Sequence, residues 1–158
     1  MLRMSKLTDY GTVVLAELAG ETGTRTALAL SDRTALPLPT VRKVLKRLAR
    51  GGLVRSERGA GGGYELSRPA DTISATEILT ALEGPLLLTA CSAEEHDCQL
   101  ESTCSVGTTW QMINQQIRAA LDSVTLHDLA AGPSPTPRFE HRLQPLAEIN
   151  AANMRSNS

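Results

Sequence analysis

From Pro39 to Arg50 the sequence reads PTVRKVLKRLAR, the most regular helical pattern in the chain. Four apolar residues recur with the i, i+3, i+4 and i+7 spacing of one buried helix face: Val41, Val44, Leu45 and Leu48. The basic residues spread around the opposite face: Arg42, Lys43, Lys46, Arg47 and Arg50. Pro39 suits a first helical position because its missing N–H would be unpaired there. The pattern predicts a helix that buries one face and offers a basic face to a polyanion.

The segments around this helix predict a helix-turn-helix followed by a β-hairpin. A helix over residues 26–34 precedes it across the short link 35–38, and strands over 53–57 and 64–67 follow it. The glycine-rich stretch 59–63 joins the strands and predicts a flexible hairpin tip. A helix followed at once by such a hairpin is the layout of a winged helix-turn-helix, whose second helix enters the major groove of DNA.

The basic helix and the wing supply the candidate DNA contacts, which are Thr40, Arg42, Lys43, Lys46, Arg47, Arg50, Arg58 and Gly61. Arg42 and Lys43, near the helix start, are the expected base readers, and the three later basic residues of the helix are expected to bind phosphates. Arg58 would enter a minor groove, while the wing glycines let the backbone approach DNA closely. A solvated basic face is the simpler alternative.

Three further helices are predicted. The first covers residues 6–21 and has one apolar face, made of Leu7, Tyr10, Val14 and Leu18. The second opens at Ser74 with the capping-box pattern SATE and runs to Glu83. The third covers residues 106–124 and carries an apolar stripe in steps of three and four: Trp110, Ile113, Ile117, Leu121 and Val124. This stripe is either an intramolecular core face or a dimer interface.

The three cysteines, Cys91, Cys98 and Cys104, lie close together in a loop that also contains His96 and four acidic residues. Thiolates are soft donors that suit zinc or iron–sulfur clusters, but the tight C-x2-C pairs of zinc ribbons are absent. Three cysteines also leave a tetrahedral site one ligand short. The spacing alone therefore leaves four alternatives open: an iron–sulfur cluster, zinc, redox thiols and inert cysteines.

Composition excludes several classes of protein. The net charge of −1 singles out no partner, and aromatic residues at 3% argue against a stacking platform for single-stranded nucleic acid. We expect neither a signal peptide nor a membrane-spanning run, and three cysteines are a poor count for a secreted disulfide scaffold. We expect a cytoplasmic protein with no membrane partner. No catalytic pair or phosphate loop is found, so we expect neither an enzyme nor a small-molecule substrate.

Four stretches together resemble one family. Residues 1–10, 38–48 and 58–66, with the three-cysteine loop, are similar to the IscR/NsrR family of bacterial winged-helix regulators, over about residues 1 to 130. The nearest branch by resemblance regulates the SUF system of iron–sulfur assembly. The combination of a glycine-rich wing and the cysteine loop is far more specific than either part.

The resemblance implies a mainly α fold with a small β-hairpin wing and a long dimerisation helix. Residues 1–85 would form the DNA-binding domain, 86–104 the cluster-binding loop, 105–131 the dimerisation helix and 132–158 a flexible tail. A homodimer would bind a palindromic operator in double-stranded DNA, and the protein would act as a repressor. Each subunit would bind one iron–sulfur cluster, of the 2Fe–2S or 4Fe–4S type, through Cys91, Cys98 and Cys104.

The fourth ligand differs between branches of the family. In the IscR branch a histidine soon after the last cysteine completes the site, but here Ser105, Val106 and Gly107 follow Cys104. In the NsrR branch the Asp of an N-terminal Asp-Tyr pair is supplied by the other subunit, and Asp9-Tyr10 matches that pair. Asp9 is thus the expected ligand, with His96, a glutamate or no protein ligand as alternatives. Asp9 would otherwise be a carboxylate favoured by the helix dipole.

Other functions fit parts of the sequence. Within the same class, the protein would be a nitric-oxide-sensing cluster repressor, or a DNA-binding regulator with redox thiols or zinc and no cluster. From a different class, the cysteine loop would suit an electron-transfer protein or a small metalloenzyme, but neither needs the basic helix and the wing.

Overall fold

The computed structural model describes residues 4–20, 22–59, 61–88 and 106–132. The described part of the chain forms six α-helices and a two-stranded antiparallel sheet. The elements are α1 (Lys6–Ala19), α2 (Ala27–Thr34), α3 (Leu38–Arg50), β1 (Val54–Glu57), β2 (Gly63–Leu66), a 3-10 turn (Ala70–Thr72), α4 (Ala75–Glu83), α5 (Gly107–Asp122) and α6 (Leu126–Ala130). The predicted class, mainly helical with a small β-hairpin, is confirmed.

The buried face of α3 forms the centre of the core. Its four predicted apolar residues, Val41, Val44, Leu45 and Leu48, have no exposed surface. The helix begins at Leu38, one residue earlier than predicted, because Pro37 occupies the N-cap position and its carbonyl accepts the N–H of Val41 at 3.1 Å. Helices α1, α2 and α4 pack against α3. The hydrophobic spacing therefore located the core correctly.

Helix α1 packs against α3, α4 and α6. Val14 and Leu18 are buried as predicted, while Leu7 and Tyr10 pack half-buried against the core. Leu15, outside the predicted stripe, is also fully buried because α1 is covered on more than one side. At Gly11 a Cβ atom would collide with the Leu82 side chain, so the glycine permits the close crossing of α1 and α4.

The wing is joined by hydrogen bonds to the segment that precedes α2. Its strands pair antiparallel, with Arg55 opposite Glu65. Arg25 adds a bridge to β2, since the N–H and carbonyl groups of Arg25 and Tyr64 exchange two hydrogen bonds of 2.8 Å. Gly63 permits this approach, because a Cβ there would lie 2.6 Å from the Arg25 carbonyl oxygen. The Thr24 hydroxyl also donates to the Gly61 carbonyl at 2.9 Å.

The chain returns to the core after α5. The predicted helix over 106–124 ends at Asp122, and a second helix, α6, follows a turn. Thr125 caps α6 through a reciprocal capping box with Asp128. Leu126 is fully buried, and its N–H donates to the Ile73 carbonyl at 2.8 Å. The predicted dimerisation segment 105–131 thus holds a mostly uncovered helix, α5, and a short helix packed against α1.

Two predicted regions lie largely outside the described residues. The cysteine loop is described only up to Leu88, and of the predicted tail only Gly132 is described. Among the described helices, none combines the length and apolar character that crossing a bilayer requires.

Candidate nucleic-acid interface

The candidate interface begins at the outward face of α3. Successive helix residues are rotated by about 100°, so Lys43, Lys46 and Arg50 point almost directly away from the buried face. All five basic residues of α3 are exposed. Thr40, in the first turn, is half-buried. The basic face predicted from the sequence is thus present, and it lies on a helix whose other face is fixed in the core.

Five cations of this surface have no acidic partner within the described residues: Arg42, Lys43, Lys46, Arg50 and Arg58. Cations without acidic neighbours produce an uncompensated positive potential, which attracts a polyanion. Arg58 is exposed at the wing tip beside Gly59, whose φ of 121° is a backbone conformation that favours glycine. The exposed Gly61 has open space around its Cα, which allows close backbone approach.

Two other arginines have intramolecular partners. The Arg55 side chain donates to Glu65, its cross-strand neighbour, at 2.7 Å. This hydrogen bond and the charge of Glu65 raise the pKa of Arg55 above its ordinary value. Arg47, a predicted phosphate contact, donates from its guanidinium to the Leu82 carbonyl at the end of α4. These two residues therefore differ in their surroundings from the five unpaired cations.

The apolar stripe of α5 is only partly covered by the chain itself. Trp110 is 42% exposed and Ile113 is 38% exposed, and Val106, just before the helix, is 54% exposed. The only buried residue of α5 is Asn114. Trp110 and Ile113 are thus not covered as a core face would be, whereas Ile117, Leu121 and Val124 of the same stripe are half-buried. A dimer interface through the exposed end of the stripe stays a prediction.

Of the predicted metal-binding residues, only Asp9 lies within the described part of the chain. Cys91, Cys98, Cys104 and His96 lie outside the described residues. Asp9 is exposed in the first turn of α1, and its carboxylate has no bonding partner among the described residues. Three thiolates and a free carboxylate are a donor set compatible with an iron–sulfur cluster.

Both ends of the cysteine segment meet α5. The N–H of Leu88, the last described residue before the segment, donates to the side-chain carbonyl of Asn114 at 3.3 Å. Val106, the first described residue after it, is the N-cap of α5. Asn114 is only 4% exposed, so its amide lies inside the fold. The segment that carries the cysteines is therefore attached to the candidate dimerisation helix on both sides.

Glu83 connects the end of α4 to the start of α1. Its carboxylate accepts hydrogen bonds from the hydroxyls of Ser5 and Thr8 and from the Ser5 N–H at 3.1 Å. The Ser5 and Thr8 hydroxyls, with a smaller contribution from the charge of Arg47, hold the pKa of Glu83 below its ordinary value of 4.5. The first turn of α1, which contains Asp9, is thereby fixed to the chain that leads to the cysteine segment.

The lowered pKa of Glu83 predicts a pH dependence of stability. The unfolded carboxyl has the higher pKa, so its contribution to stability is complete above pH 4.5 and is lost as the pH falls through the folded pKa. Glu83→Gln should lower the melting temperature near neutral pH, and the difference from the unsubstituted protein should vanish in acid. Asp32→Asn, an exposed change on α2, is the control. A difference in melting temperature between the Glu83 variant and the unsubstituted protein that stays constant from pH 7 to pH 3 would contradict this role of Glu83.

Comparison with known proteins identifies the class. Residues 4–132 match the Rrf2 family, described as an iron-dependent transcriptional regulator. A Neisseria meningitidis protein named as an HTH-type transcriptional regulator is 32% identical over 130 residues, 81% of this chain and 87% of that protein. The HTH-type transcriptional regulator IscR of Yersinia pestis is 28% identical and covers 81% of this chain and 79% of its own.

Solved structures agree. CymR, the global cysteine regulator of B. subtilis, has a TM-score of 0.64 and 30% identity, covering 85% of this chain and all of its own. IscR of T. potens has a TM-score of 0.59 and 27% identity, covering 85% and 94%. The fold and the basic face define a winged-helix DNA-binding regulator. The chain belongs to the Rrf2 family of transcriptional regulators, and the predicted resemblance to IscR-like members is confirmed.

Several residues that organise this site were not found from the sequence. The contacts of Ser5 and Thr8 with Glu83 join residues 78 and 75 positions apart, and no local pattern indicates them. A polar Asn114 among the apolar residues of the α5 stripe was the one available signal, because a buried amide needs a partner.

Proposed function

We propose that the protein is a homodimeric, cytoplasmic transcriptional repressor that binds a palindromic operator and responds to an iron–sulfur cluster in each subunit. The observation that carries the DNA-binding part is the set of unpaired cations on α3 and the wing. The observation that supports the dimer is the partly exposed stripe of α5, in which Trp110 and Ile113 are exposed.

The DNA-reading residues follow from their positions on α3 and the wing. Arg42 and Lys43, in the N-terminal half of α3, read base edges in the major groove, and Thr40 contacts DNA in the first turn. Lys46 and Arg50 bind phosphates and set the register. Arg58 enters the adjacent minor groove while Gly61 lets the wing backbone approach the duplex. Two such units, related by the dimer axis, match the two halves of a palindrome.

Arg42→Ala should weaken operator binding and relax sequence preference. Losing one bidentate base contact costs about 1–3 kcal/mol on the cognate site and little on random DNA. The matched variant Lys46→Ala should instead weaken binding to all sequences alike and lower the slope of log affinity against log salt by about one phosphate contact. Fluorescence anisotropy with a palindromic promoter fragment and a random duplex measures both. Equal losses on the two duplexes for Arg42→Ala would remove it as a base reader.

The cluster would be held by Cys91, Cys98 and Cys104, with Asp9 of the other subunit as the fourth ligand and His96 as the alternative. A cluster on these thiolates would supply sensitivity to oxygen, iron supply and nitric oxide. The chain's own residues would carry that state onward, since the segment is attached to α5 at Asn114 and Val106. A carboxylate is a harder donor than a thiolate, so Asp9 would be the weakest of the four ligands.

The target genes follow from resemblance. Resemblance to the branch that regulates the SUF system supports iron–sulfur assembly genes as the targets. The state of the cluster would be the signal. The Asp9-Tyr10 pair keeps nitric oxide as the alternative signal. The direct experiment is anaerobic purification from cells, followed by absorption and Mössbauer spectra and by a mobility shift of the palindromic fragment. Brown, iron-containing protein that shifts this fragment supports the proposal, and protein that shifts random DNA equally well contradicts it.

A second candidate is a thiol-based or zinc-dependent regulator on the same DNA-binding body. The similarity to CymR, named a global cysteine regulator, favours this candidate, and one of the similar structures is an oxidised form of Staphylococcus aureus CymR with 28% identity. Iron and acid-labile sulfide analysis separates the two candidates. Iron with sulfide indicates a cluster, zinc without sulfide a zinc site, and neither metal indicates redox thiols.

A further inference from the structure

Arg47 has surroundings unlike those of the neighbouring cations on α3. At about 100° per residue, Lys43, Lys46 and Arg50 cluster on the outward side, whereas Arg47 lies about 60–70° further round, toward α4. Its guanidinium Nη1 donates to the Leu82 carbonyl in the last turn of α4. The outward lysines and Arg50 have no such bond within the described residues.

The contact has a clear physical role at its α4 end. The last four carbonyls of a helix have no partner within the helix, and the helix dipole places negative potential there. A cationic donor from another helix satisfies one of these carbonyls and is attracted by the dipole. Arg47 thus caps α4 from outside, and its positive charge also acts on the neighbouring Glu83 carboxylate.

A second contact one turn later keeps α3 close to α4. A Cβ atom at Gly51 would lie 2.5 Å from the Ala81 Cβ, so the end of α3 is packed almost backbone to backbone against α4. The Gly51 N–H donates to the Arg47 carbonyl at 2.9 Å, which connects the two contact points. Arg47 and Gly51 therefore together fix the C-terminal half of α3 on α4.

The residues that follow Leu82 connect the other functional parts. Glu83 accepts hydrogen bonds from Ser5, the N-cap of α1, and from Thr8 in its first turn, and the Leu88 N–H donates to Asn114 of α5. Within Leu82–Leu88, which we call the connector, the chain is thus attached in turn to α3, to α1 and to α5. A shift of the connector would therefore change the position of α3 relative to α4 through the Arg47 hydrogen bond.

We infer that Arg47 is a positioning residue. It sets the orientation of α3 on the end of α4, where the connector begins, and it does not bind a DNA phosphate. This inference replaces the phosphate role predicted for Arg47 from the sequence, and it rests on the proposed DNA-binding function. It divides the basic residues of α3 into DNA contacts on the outward side and one structural cation facing α4.

Salt dependence separates the two roles. Each phosphate contact contributes about 0.9 to the slope of log affinity against log salt. Arg47→Met keeps the apolar stem but removes the charge and the donor. We expect at least a roughly tenfold loss of affinity for the palindromic promoter fragment, a smaller loss on a random duplex and no change in slope. Lys46→Met, the adjacent outward cation, is the matched control and should lower the slope by about 0.9.

A measurement without DNA keeps the test independent of the proposed function. Hydrogen exchange of the Gly84 amide, which donates to the Thr80 carbonyl at the end of α4, should accelerate in Arg47→Met and stay unchanged in Lys46→Met. If Arg47→Met does not fold, Arg47→Lys is used. This variant keeps the charge but should still lose operator affinity at an unchanged slope, because a shorter ammonium group cannot reproduce the guanidinium bond.

A slope reduced by the same amount in the Arg47 and Lys46 variants, with equal losses on both duplexes and unchanged Gly84 exchange, would overturn the inference. If instead neither the unsubstituted protein nor any variant prefers the palindromic fragment, the proposed function fails. The exchange result then still decides whether Arg47 holds the end of α4.

Discussion

Replacing Trp110 and Ile113 together by aspartate is expected to convert the protein into a monomer that binds a palindromic operator only weakly. Both side chains are exposed on α5, 42% and 38% respectively, and lie on one stripe. In a dimer the two carboxylates would be placed in an apolar interface at a high desolvation cost. Loss of the second half-site contact should lower operator affinity by on the order of 10²–10⁴.

The fold itself should survive this double substitution. The only buried residue of α5, Asn114, is unchanged, and neither replaced residue belongs to the described core. Sedimentation equilibrium gives the oligomeric state, and circular dichroism shows whether helix content is retained. Gln115→Asp, an exposed change on the opposite side of the same helix, is the control and should stay dimeric. A folded double variant that still sediments as a dimer would show that the subunits associate elsewhere.

Replacing Cys91, Cys98 and Cys104 together by serine is expected to give colourless protein that contains almost no iron. Hydroxyl groups are hard, weak donors toward iron, so removal of all three thiolates should abolish cluster binding. The described core is built from residues outside the cysteine segment, so we expect the variant to fold. Iron and sulfide content after anaerobic purification measures the effect. Retention of a full complement of iron and sulfide in the triple variant would refute the thiolate ligation.

The lifetime of the cluster in air discriminates between the candidate fourth ligands. Asp9→Ala should leave the cluster bound at first but shorten its lifetime in air if Asp9 is a ligand, because an oxygen donor is the weakest of the four. His96→Ala should have that effect if the histidine is the ligand. Thr8, next to Asp9, should be kept, since its hydroxyl bonds to Glu83. Unchanged lifetimes in both variants would point to a glutamate or to no protein ligand.

Patterns with short periods predicted much of the fold. The four core residues of α3 and the capping box at Ser74 depend on neighbours within one or two helical turns, and the structure confirms both. The bounds of the two wing strands differ from the predicted bounds by no more than one residue. The basic face of α3 followed from the same periodicity, because a helix that buries one side must expose the other.

Contacts between distant parts of the chain were beyond such patterns. Helix α6 is only five residues long, Leu126–Ala130, and its sequence is too short to show a helical period. The bridge between Arg25 and Tyr64 depends on Gly63 letting two backbones approach, and nothing near Arg25 indicates it. For the same reason no local pattern indicates the bond from Arg47 to the Leu82 carbonyl of α4.

The direct test of a regulator whose DNA affinity depends on its cluster is one comparison on one oxygen-free preparation. Operator affinity is measured before and after the cluster is removed by a chelator, with iron content followed in parallel. Coupling between two sites typically amounts to about 1–3 kcal/mol, a change in affinity of about 5–150-fold. We predict a change of this size on the palindromic fragment, in one direction or the other. Iron-free, colourless protein from strictly anaerobic purification that binds this fragment tightly, with no response to added iron and sulfide, would contradict it.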